Sequence, residues 1–335
     1  ILGGEATLPG YTLGGDSKLE QVTIDVEKYS SQSGSFRYAK NLKTFRLKAD
    51  SATLDNRAFV ECPSLMAVDL TECGSITYGD NTFGSMTTAE QSNAPMSSTA
   101  IIYVSNTSAN PKGAENMAGL SNSHGIVAVT NGGTFPENTE FTANTLATPT
   151  KANYKFLGWY NNEDCTGTAV TTPPEAGKTY YAKWEKKEAQ KLSFQENAVT
   201  VHANEKTVTN PINHTEDGGS VTYKSSDENV ATVDESGTVT IVGAGTAIIT
   251  ATAAETGDYK DASASYTLTV TQHEFSEDWE SGADGHWHKC TVDGCDVKSD
   301  FADHKFQWVV DKEATTTEKG SKHEKCTVCG YEKKA

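Results

Sequence analysis

The chain has 335 residues, 36% of them hydrophobic, and 45 acidic against 28 basic residues give it a formal net charge of −17. A net negative charge repels the phosphate backbone of DNA or RNA, so no nucleic-acid partner is expected. The sequence contains no run of about 18 apolar residues, which argues against membrane insertion. Short runs of Val, Thr, Ile and Tyr, broken by Gly, Asn and Asp, predict a mainly β, multidomain chain.

Residues 18–71 repeat at an interval of 23 residues. Each copy has the form L-x-x-Φ-x-Φ, where Φ is apolar, and starts at Leu19, Leu42 or Leu65. A second apolar series precedes each copy by six residues, at Leu13, Phe36 and Phe59. Units of this kind contribute one short strand per turn and stack their apolar side chains on neighbouring turns. The pattern therefore predicts a short leucine-rich-repeat solenoid.

The segment AFVECPSL (58–65) has the form A-F-x-x-C-x-S-L. It resembles the BspA-like leucine-rich repeats of bacterial surface proteins, and the resemblance implies a repeat domain over residues 1–122. TAIIYVSN (99–106) is expected to be the last strand after an insertion, and residues 100–122 a C-terminal cap.

Residues 123–186 have a different texture, with aromatic strands at FLGWY (156–160) and TYYAKW (179–184). The spaced elements N-G-G-T, Y-x-F-x-G-W-Y and T-Y-Y-A-K-W resemble the internalin B-repeat, which implies a small β-grasp-like module. Trp159 and Tyr160 are predicted to be core aromatics rather than a platform for stacking a sugar.

Residues 191–271 alternate between apolar and polar positions, which predicts an immunoglobulin-like β-sandwich. Its seven predicted strands are 192–194, 198–202, 220–224, 230–234, 238–242, 246–253 and 264–270. The stretch 223–253 resembles the bacterial Ig-like domain of intimins. Within it, 243–245 lacks the third glycine of a dinucleotide fingerprint and is predicted to be a hairpin turn.

Residues 272–335 hold the candidate metal ligands, in two zinc-ribbon-like units that start with H-x-F and carry a cysteine pair each. The candidates are His273, His286, His288, Cys290, Cys295, His304, His323, Cys326 and Cys329. Zinc favours four such ligands, and each unit is expected to hold its own Cys₂His₂ set. In an extended strand, His286, His288 and Cys290 share one face, so either histidine could complete the first set.

Structural zinc is the preferred interpretation of this tail, because units this short have too few apolar residues for a core. Two Cys–Cys disulfides are an alternative in an oxidising exterior. A catalytic metal is disfavoured, since no H-E-x-x-H motif is present. The tail resembles H-W-H-x-C repeats in cell-wall proteins of Gram-positive gut bacteria, which implies a secreted or cell wall-associated, extracellular protein.

No nucleophile motif such as G-x-S-x-G occurs, and small β modules offer no large pocketed core, so the chain is expected not to be an enzyme. The favoured hypothesis is adhesion of a monomer to a host or bacterial surface protein or glycan through the leucine-rich repeats, with the other modules as a stalk. Two alternatives remain, a spacer within a larger surface protein and accessory modules of a polysaccharide-acting enzyme.

Overall fold

The structure of the protein is a computed structural model. It describes residues 3–15, 18–79, 82–83, 97, 99–106, 125–203, 205–292 and 295–333. The chain divides into two compact units, Ile1–Lys187 and Glu188–Ala335. Every regular element in the described ranges is a β-strand, which confirms the mainly β class. Within these ranges, no helix is long and apolar enough to cross a membrane.

The first unit contains one sheet of nine strands. They are β1 Glu5–Leu8, β2 Gln21–Asp25, β3 Lys28–Ser31, β4 Thr44–Leu54, β5 Ala67–Tyr78, β6 Ile101–Val104, β7 Ile126–Val129, β8 Tyr154–Tyr160 and β9 Thr179–Lys186. The sheet order is β1-β3-β4-β5-β6-β7-β9-β8, and β2 also pairs with β4. All neighbours are parallel except β8 and β9.

The 23-residue interval of the sequence is the register of this sheet. Val22 on β2 lies opposite Phe45 on β4, and Phe45 lies opposite Val68 on β5. Four ion pairs also join residues one interval apart, Lys28–Glu5, Lys43–Glu20, Lys48–Asp25 and Arg46–Asp69. Each repeat therefore aligns both its apolar and its charged side chains with those of the next.

A ladder of phenylalanines runs behind the strands. The Phe59 ring stacks between Phe36 at 5.2 Å and Phe83 at 5.3 Å, and all three side chains are fully buried. Phe36 and Phe59 belong to the second apolar series of the sequence, whereas Phe83 continues the ladder beyond it. The three rings pack in one core cluster with the apolar side chains of the parallel strands, so the ladder covers one face of the sheet.

The sequence predicted that residues 99–106 form the last strand of the repeats, but the sheet continues beyond β6. Strand β7 pairs with β6 in parallel, and β9 pairs with β7. The expected cap falls mainly on residues 107–122, which lie outside the described residues. Apolar side chains occupy every position of both β6 and β7 and are buried on both faces, as in a central strand of a sheet.

The aromatic residues between 125 and 187 form the core of this end of the sheet. Trp159 and Tyr160 are both buried, as predicted, and Trp159 donates its indole N–H to the Ala147 carbonyl at 3.1 Å. The Tyr103 ring of β6 packs against Phe135 and Phe141 in the same cluster.

The second unit begins with a β-sandwich. Its strands are β10 Glu188–Ala189, β11 Leu192–Phe194, β12 Ala198–His202, β13 Thr207–Thr209, β14 Ile212–His214, β15 Val221–Ser225, β16 Ala231–Val233, β17 Thr238–Ile241, β18 Gly245–Ala253, β19 Tyr259–Lys260 and β20 Ala262–Thr271. All seven predicted strands are present. The larger sheet is β12-β20-β18-β15 and the sheet with β17 is β13-β17-β16, and apolar side chains from both pack into one cluster.

The prediction of a hairpin turn at 243–245 is wrong, because β17 and β18 belong to different sheets. Gly245 starts β18 with φ of 149°, and a Cβ there would meet Val230 Cγ2 at 2.7 Å. A glycine is therefore required here, because the chain crosses between the two sheets and its backbone passes close to the Val230 side chain.

Two small three-stranded sheets follow the sandwich. The first contains β21 Phe275–Ser281, β22 His286–Cys290 and β23 Lys298–Ala302. The second contains β24 Phe306–Lys312, β25 Ser321–Cys326 and β26 Glu332–Lys333. All pairings in both sheets are antiparallel.

Replacing Phe59 by alanine should remove the central rung of the phenylalanine ladder. We expect a loss of about 3–5 kcal/mol in the free energy of unfolding of the first unit, because the cavity lies in a fully buried stack. Urea unfolding followed by hydrogen exchange of peptides from residues 18–79 measures it. Leu157→Ala, at a residue 36% exposed in the same unit, is the control and should cost about 1 kcal/mol or less. Equal losses in the two variants would contradict the ladder's role.

Candidate functional site

The tail beyond residue 272 has almost no apolar core. Among its described residues the only buried side chains are His286, Cys290, Cys295 and Cys326. The apolar residues stay at the surface instead, with Phe301 53%, Trp308 55% and Val310 54% exposed. Burial in this part of the chain is therefore concentrated in groups that can bind a metal.

The first group consists of His273, Cys290 and Cys295, whose ligand atoms lie within 4.8 Å of one another. His273 Nδ1 is 3.7 Å from Cys290 Sγ and 3.2 Å from Cys295 Sγ. Ligand atoms of a tetrahedral zinc site are separated by roughly 3.3–3.8 Å, given zinc bonds of about 2.0–2.3 Å. The distance to Cys290 lies within this range and the distance to Cys295 just below it, so the three atoms are close enough to share one ion.

The second group consists of His286, His304, Cys326 and Cys329, again within 4.8 Å of one another. His304 Nδ1 lies 3.4 Å from Cys329 Sγ. Its Nε2–H donates to the Gly282 carbonyl at 2.7 Å, which leaves the Nδ1 lone pair free for a metal. His286 Nδ1 is buried without a hydrogen-bond partner, a costly arrangement unless something else satisfies that nitrogen.

A tight turn brings the last two cysteines together. The Gly330 N–H donates to the Cys326 carbonyl at 3.0 Å, and the Cys326 N–H donates to the Tyr331 carbonyl at 2.8 Å. Gly330 has φ of 76°, in the left-handed region where glycine carries no steric penalty. The Tyr331 ring stacks on the His304 imidazole at 4.5 Å and fixes its plane.

Both groups are built on one backbone plan, which we call a frame: residues 273–295 are the first frame and residues 304–329 the second. Phe275 pairs with Cys290, and Phe306 pairs with Cys326. The threonine after each of these cysteines donates its N–H to the residue before that phenylalanine, at 2.8 and 2.9 Å. Each frame therefore presents one histidine and two cysteines in the same way.

The environment of Cys326 favours the thiolate that a metal requires. Burial raises the pKa of this thiol, but hydrogen bonds from the backbone N–H groups of Cys329 and Val328, and from His304, lower it to about 6. In the first frame, burial and the neighbouring Cys290 sulfur raise the pKa of Cys295. The Cys326 thiol is thus prepared for a metal at neutral pH, whereas Cys295 must first release its proton.

Seven of the nine predicted ligands lie in these two groups, but the histidines are distributed differently from the sequence prediction. His286, assigned to the first unit, lies with the cysteines of the second. His288 lies outside both groups, with Nδ1 3.3 Å from the Asp278 carbonyl oxygen and its ring 4.0 Å from Trp279. His323 also lies outside, with Nδ1 2.6 Å from Asp311 Oδ1.

Strand geometry explains this distribution. His286 and Cys290 begin and end β22, and four residues of strand rise roughly 13 Å, too far for one ion to bind both. The alternation of faces along a strand takes no account of this rise. Counting the rise would have excluded His286 from the first set without any structure.

A second candidate site is a cleft of about 530 Å³ on the nine-stranded sheet of the first unit, which we call the repeat sheet. It is lined by Thr23, Ile24, Asp25, Arg46, Leu47, Lys48, Asp69, Glu72, Phe135, Pro136 and Glu137. The guanidinium of Arg46 already has partners within the protein. It pairs with Asp69 and donates to the carbonyls of residues 135–137 at 2.7–2.8 Å. Lys48, Glu72 and Glu137 are exposed and form the polar rim, where Lys48 also pairs with Asp25.

Two segments match known protein families. Residues 208–255 match the intimin immunoglobulin-like domain, within the sandwich. Residues 124–183 match the Listeria-Bacteroides repeat domain (List_Bact_rpt), at the end of the large sheet. The chain is thus a modular all-β protein with segments similar to these two families. No curated protein matches it.

Two solved structures of surface-layer proteins show a weak likeness. The structure of SbsC domains 1–6 is 16% identical with a TM-score of 0.21, over 54% of this chain and 30% of its own. The S-layer protein rSbsC(31–844) is 14% identical with a TM-score of 0.22, over 55% of this chain and 31% of its own. The chain thus spans under a third of their length, and such scores establish no shared fold.

Replacing His286 by alanine should weaken metal binding at the second cysteine pair. We expect zinc affinity there to fall by at least about 10–100-fold, because a ligand is lost and its pocket is buried. Competition with a chromophoric chelator, in a Cys290→Ser/Cys295→Ser background, measures it. His288→Ala in the same background is the control and should leave the affinity unchanged. Equal loss in both variants would exclude this ligand set.

Proposed function

We propose that the chain is a non-catalytic, extracellular modular protein of a bacterial surface, secreted or attached to the cell wall. The all-β modular architecture supports this, as do the segments similar to an intimin domain and to the Listeria-Bacteroides repeat. The proposed modules are leucine-rich repeats of BspA type with a cap at 1–122, a β-grasp-like module of internalin B-repeat type at 123–186, an Ig-like sandwich at 191–271 and two zinc-ribbon-like units at 272–335.

The proposed metal is structural zinc, and the observation that carries it is the burial pattern of the tail. The four buried side chains among its described residues are three thiols and an imidazole, all in the two candidate groups. A segment without an apolar core needs another source of folding free energy, and a bound metal supplies one. The orphaned His286 Nδ1 and the spacing of the ligand atoms fit this assignment.

Removing the metal should unfold the tail and leave the rest of the chain folded. After treatment with a chelator, we expect fast hydrogen exchange over residues 273–333 and unchanged protection over 188–271. Alkylation at pH 8 should then modify all four tail cysteines. Cys62 and Cys73 should stay unmodified until the protein is denatured, because burial raises their pKa to about 12 and they remain thiols.

Elemental analysis of untagged protein provides the control for this experiment. Zinc at about two ions per chain, one for each frame, is the expected result. Absence of zinc together with a mass loss showing oxidised Cys290–Cys295 and Cys326–Cys329 pairs would contradict the proposal and favour disulfides.

The proposed adhesive surface is the cleft on the repeat sheet, with a protein or glycan as partner. Its rim offers both signs of charge on a rigid parallel sheet, at Lys48, Glu72 and Glu137. Extended repeat surfaces of this kind commonly serve as binding surfaces. The pairing of β6 with β7 means that deleting residues 1–122 would expose a sheet edge, so point substitutions are the cleaner test.

Binding of the intact chain to a glycan array and to host extracellular proteins should depend on this rim. We expect Lys48→Ala/Glu72→Ala to weaken such binding about 10-fold or more, because the two side chains carry opposite charges on the exposed rim of the cleft. The control is Lys40→Ala/Glu27→Ala, which removes the same charges from exposed positions outside the cleft. Absence of binding by the intact chain, or equal loss in both variants, would contradict an adhesive cleft and favour a spacer.

A further inference from the structure

The two frames differ in their fourth ligand. In the second group the fourth candidate ligand is His286, which stands four residues before Cys290 of the preceding frame. The equivalent position of the second frame, four residues before Cys326, is Lys322. A frame therefore supplies a histidine to the frame that follows it, and the first frame is preceded by a strand of the sandwich instead.

The sandwich does not supply the missing histidine to the first group. His202 Nδ1 lies 2.6 Å from the Thr271 hydroxyl, and His214 Nε2 lies 3.2 Å from the Gln190 side-chain oxygen. Within the described residues, no fourth His, Cys, Asp or Glu atom joins the group within 4.8 Å. His288, the nearest alternative in sequence, is directed to Asp278 and Trp279.

Space for an external ligand exists beside the two sulfurs. A cleft of about 520 Å³ is lined by Cys290 and Cys295 together with Ser276, Glu280, Lys289, Thr291, Val292 and Asp296. A ligand of moderate size can therefore approach the cysteine side of the group. The second group has its fourth side occupied by a buried imidazole.

We propose that the first group binds zinc through His273, Cys290 and Cys295 and takes its fourth ligand, an imidazole, from outside the group. This rests on the proposed zinc in the tail. Two thiolates already neutralise Zn²⁺, so a neutral fourth ligand keeps the centre uncharged, whereas an anion would add charge beside Glu280 and Asp296. An imidazole is also the fourth ligand of the second frame.

Cobalt spectroscopy on the full-length, untagged chain tests this. Cys326→Ser/Cys329→Ser isolates the first group, and Cys290→Ser/Cys295→Ser isolates the second. With Co²⁺ bound, added imidazole should shift the visible absorption of the first group and leave that of the second unchanged. Adding His286→Ala to the second variant should open that group and make it respond to imidazole as well. In the unaltered chain, about half of the cobalt absorbance should shift.

Two further measurements identify the source of the ligand. Asp293 is the one acidic residue in the sequence between Cys290 and Cys295. Replacing it by asparagine in the first-group variant should change neither cobalt binding nor the imidazole response. Sedimentation with and without zinc distinguishes the two external sources. A zinc-dependent dimer that free imidazole dissociates assigns the ligand to a histidine of a second copy, whereas a monomer that binds imidazole assigns it to a small molecule or another protein.

The failures are distinguishable. In a chain that stays monomeric, cobalt bound at the first group without any response to imidazole would overturn the open position and leave the zinc proposal intact, and so would cobalt lost on Asp293→Asn. No cobalt bound by the unaltered chain or by either isolated group would overturn the proposed zinc itself.

Discussion

A shortage of apolar side chains is the constraint that shapes every part of this chain. Only 36% of its residues are hydrophobic and its mean hydropathy is −0.53. Small modules bury a smaller fraction of their surface than large ones, so each must obtain its stability locally. The repeat sheet does so by aligning side chains at one interval, and the sandwich does so by packing two sheets face to face. The tail has neither option.

In the tail, candidate metal ligands are buried where a module would otherwise have an apolar core. The second group joins His286 of the first frame to three residues of the second, so one ion would connect two small sheets that bury almost nothing else. Strand β22 carries a ligand of each group at its two ends. Loss of metal at either group is therefore expected to affect both frames, unlike a tandem of independent fingers.

The sequence predicted the elements well where one physical rule dominates. The 23-residue interval became the strand register because identical turns stack only in alignment, and all seven sandwich strands were located by alternation. Properties that depend on long-range pairing were not predictable. Whether 99–106 ends the sheet depends on β7, and whether 243–245 is a hairpin depends on which sheet each strand joins.

The candidate site shows the same division. Residue type, the two H-x-F starts and the cysteine pairs identified seven residues that the structure gathers. His288 and His323 were candidates because each stands just ahead of a cysteine, and they contact Asp278 and Asp311 instead. The exclusion of His286 from the first set follows from the rise along a strand, and this rise can be counted from the sequence alone. The open side of the first group could not be foreseen, because it depends on the space beside Cys290 and Cys295.

The central claim is that zinc replaces a core in the tail, with ligands shared between frames. Zinc-edge X-ray absorption of the untagged chain, loaded with one equivalent so that the four-ligand group fills first, tests this most directly. We predict two sulfur ligands at about 2.3 Å and two imidazole nitrogens at about 2.0–2.1 Å. A spectrum without a sulfur shell, or with four sulfurs and no imidazole, would contradict it.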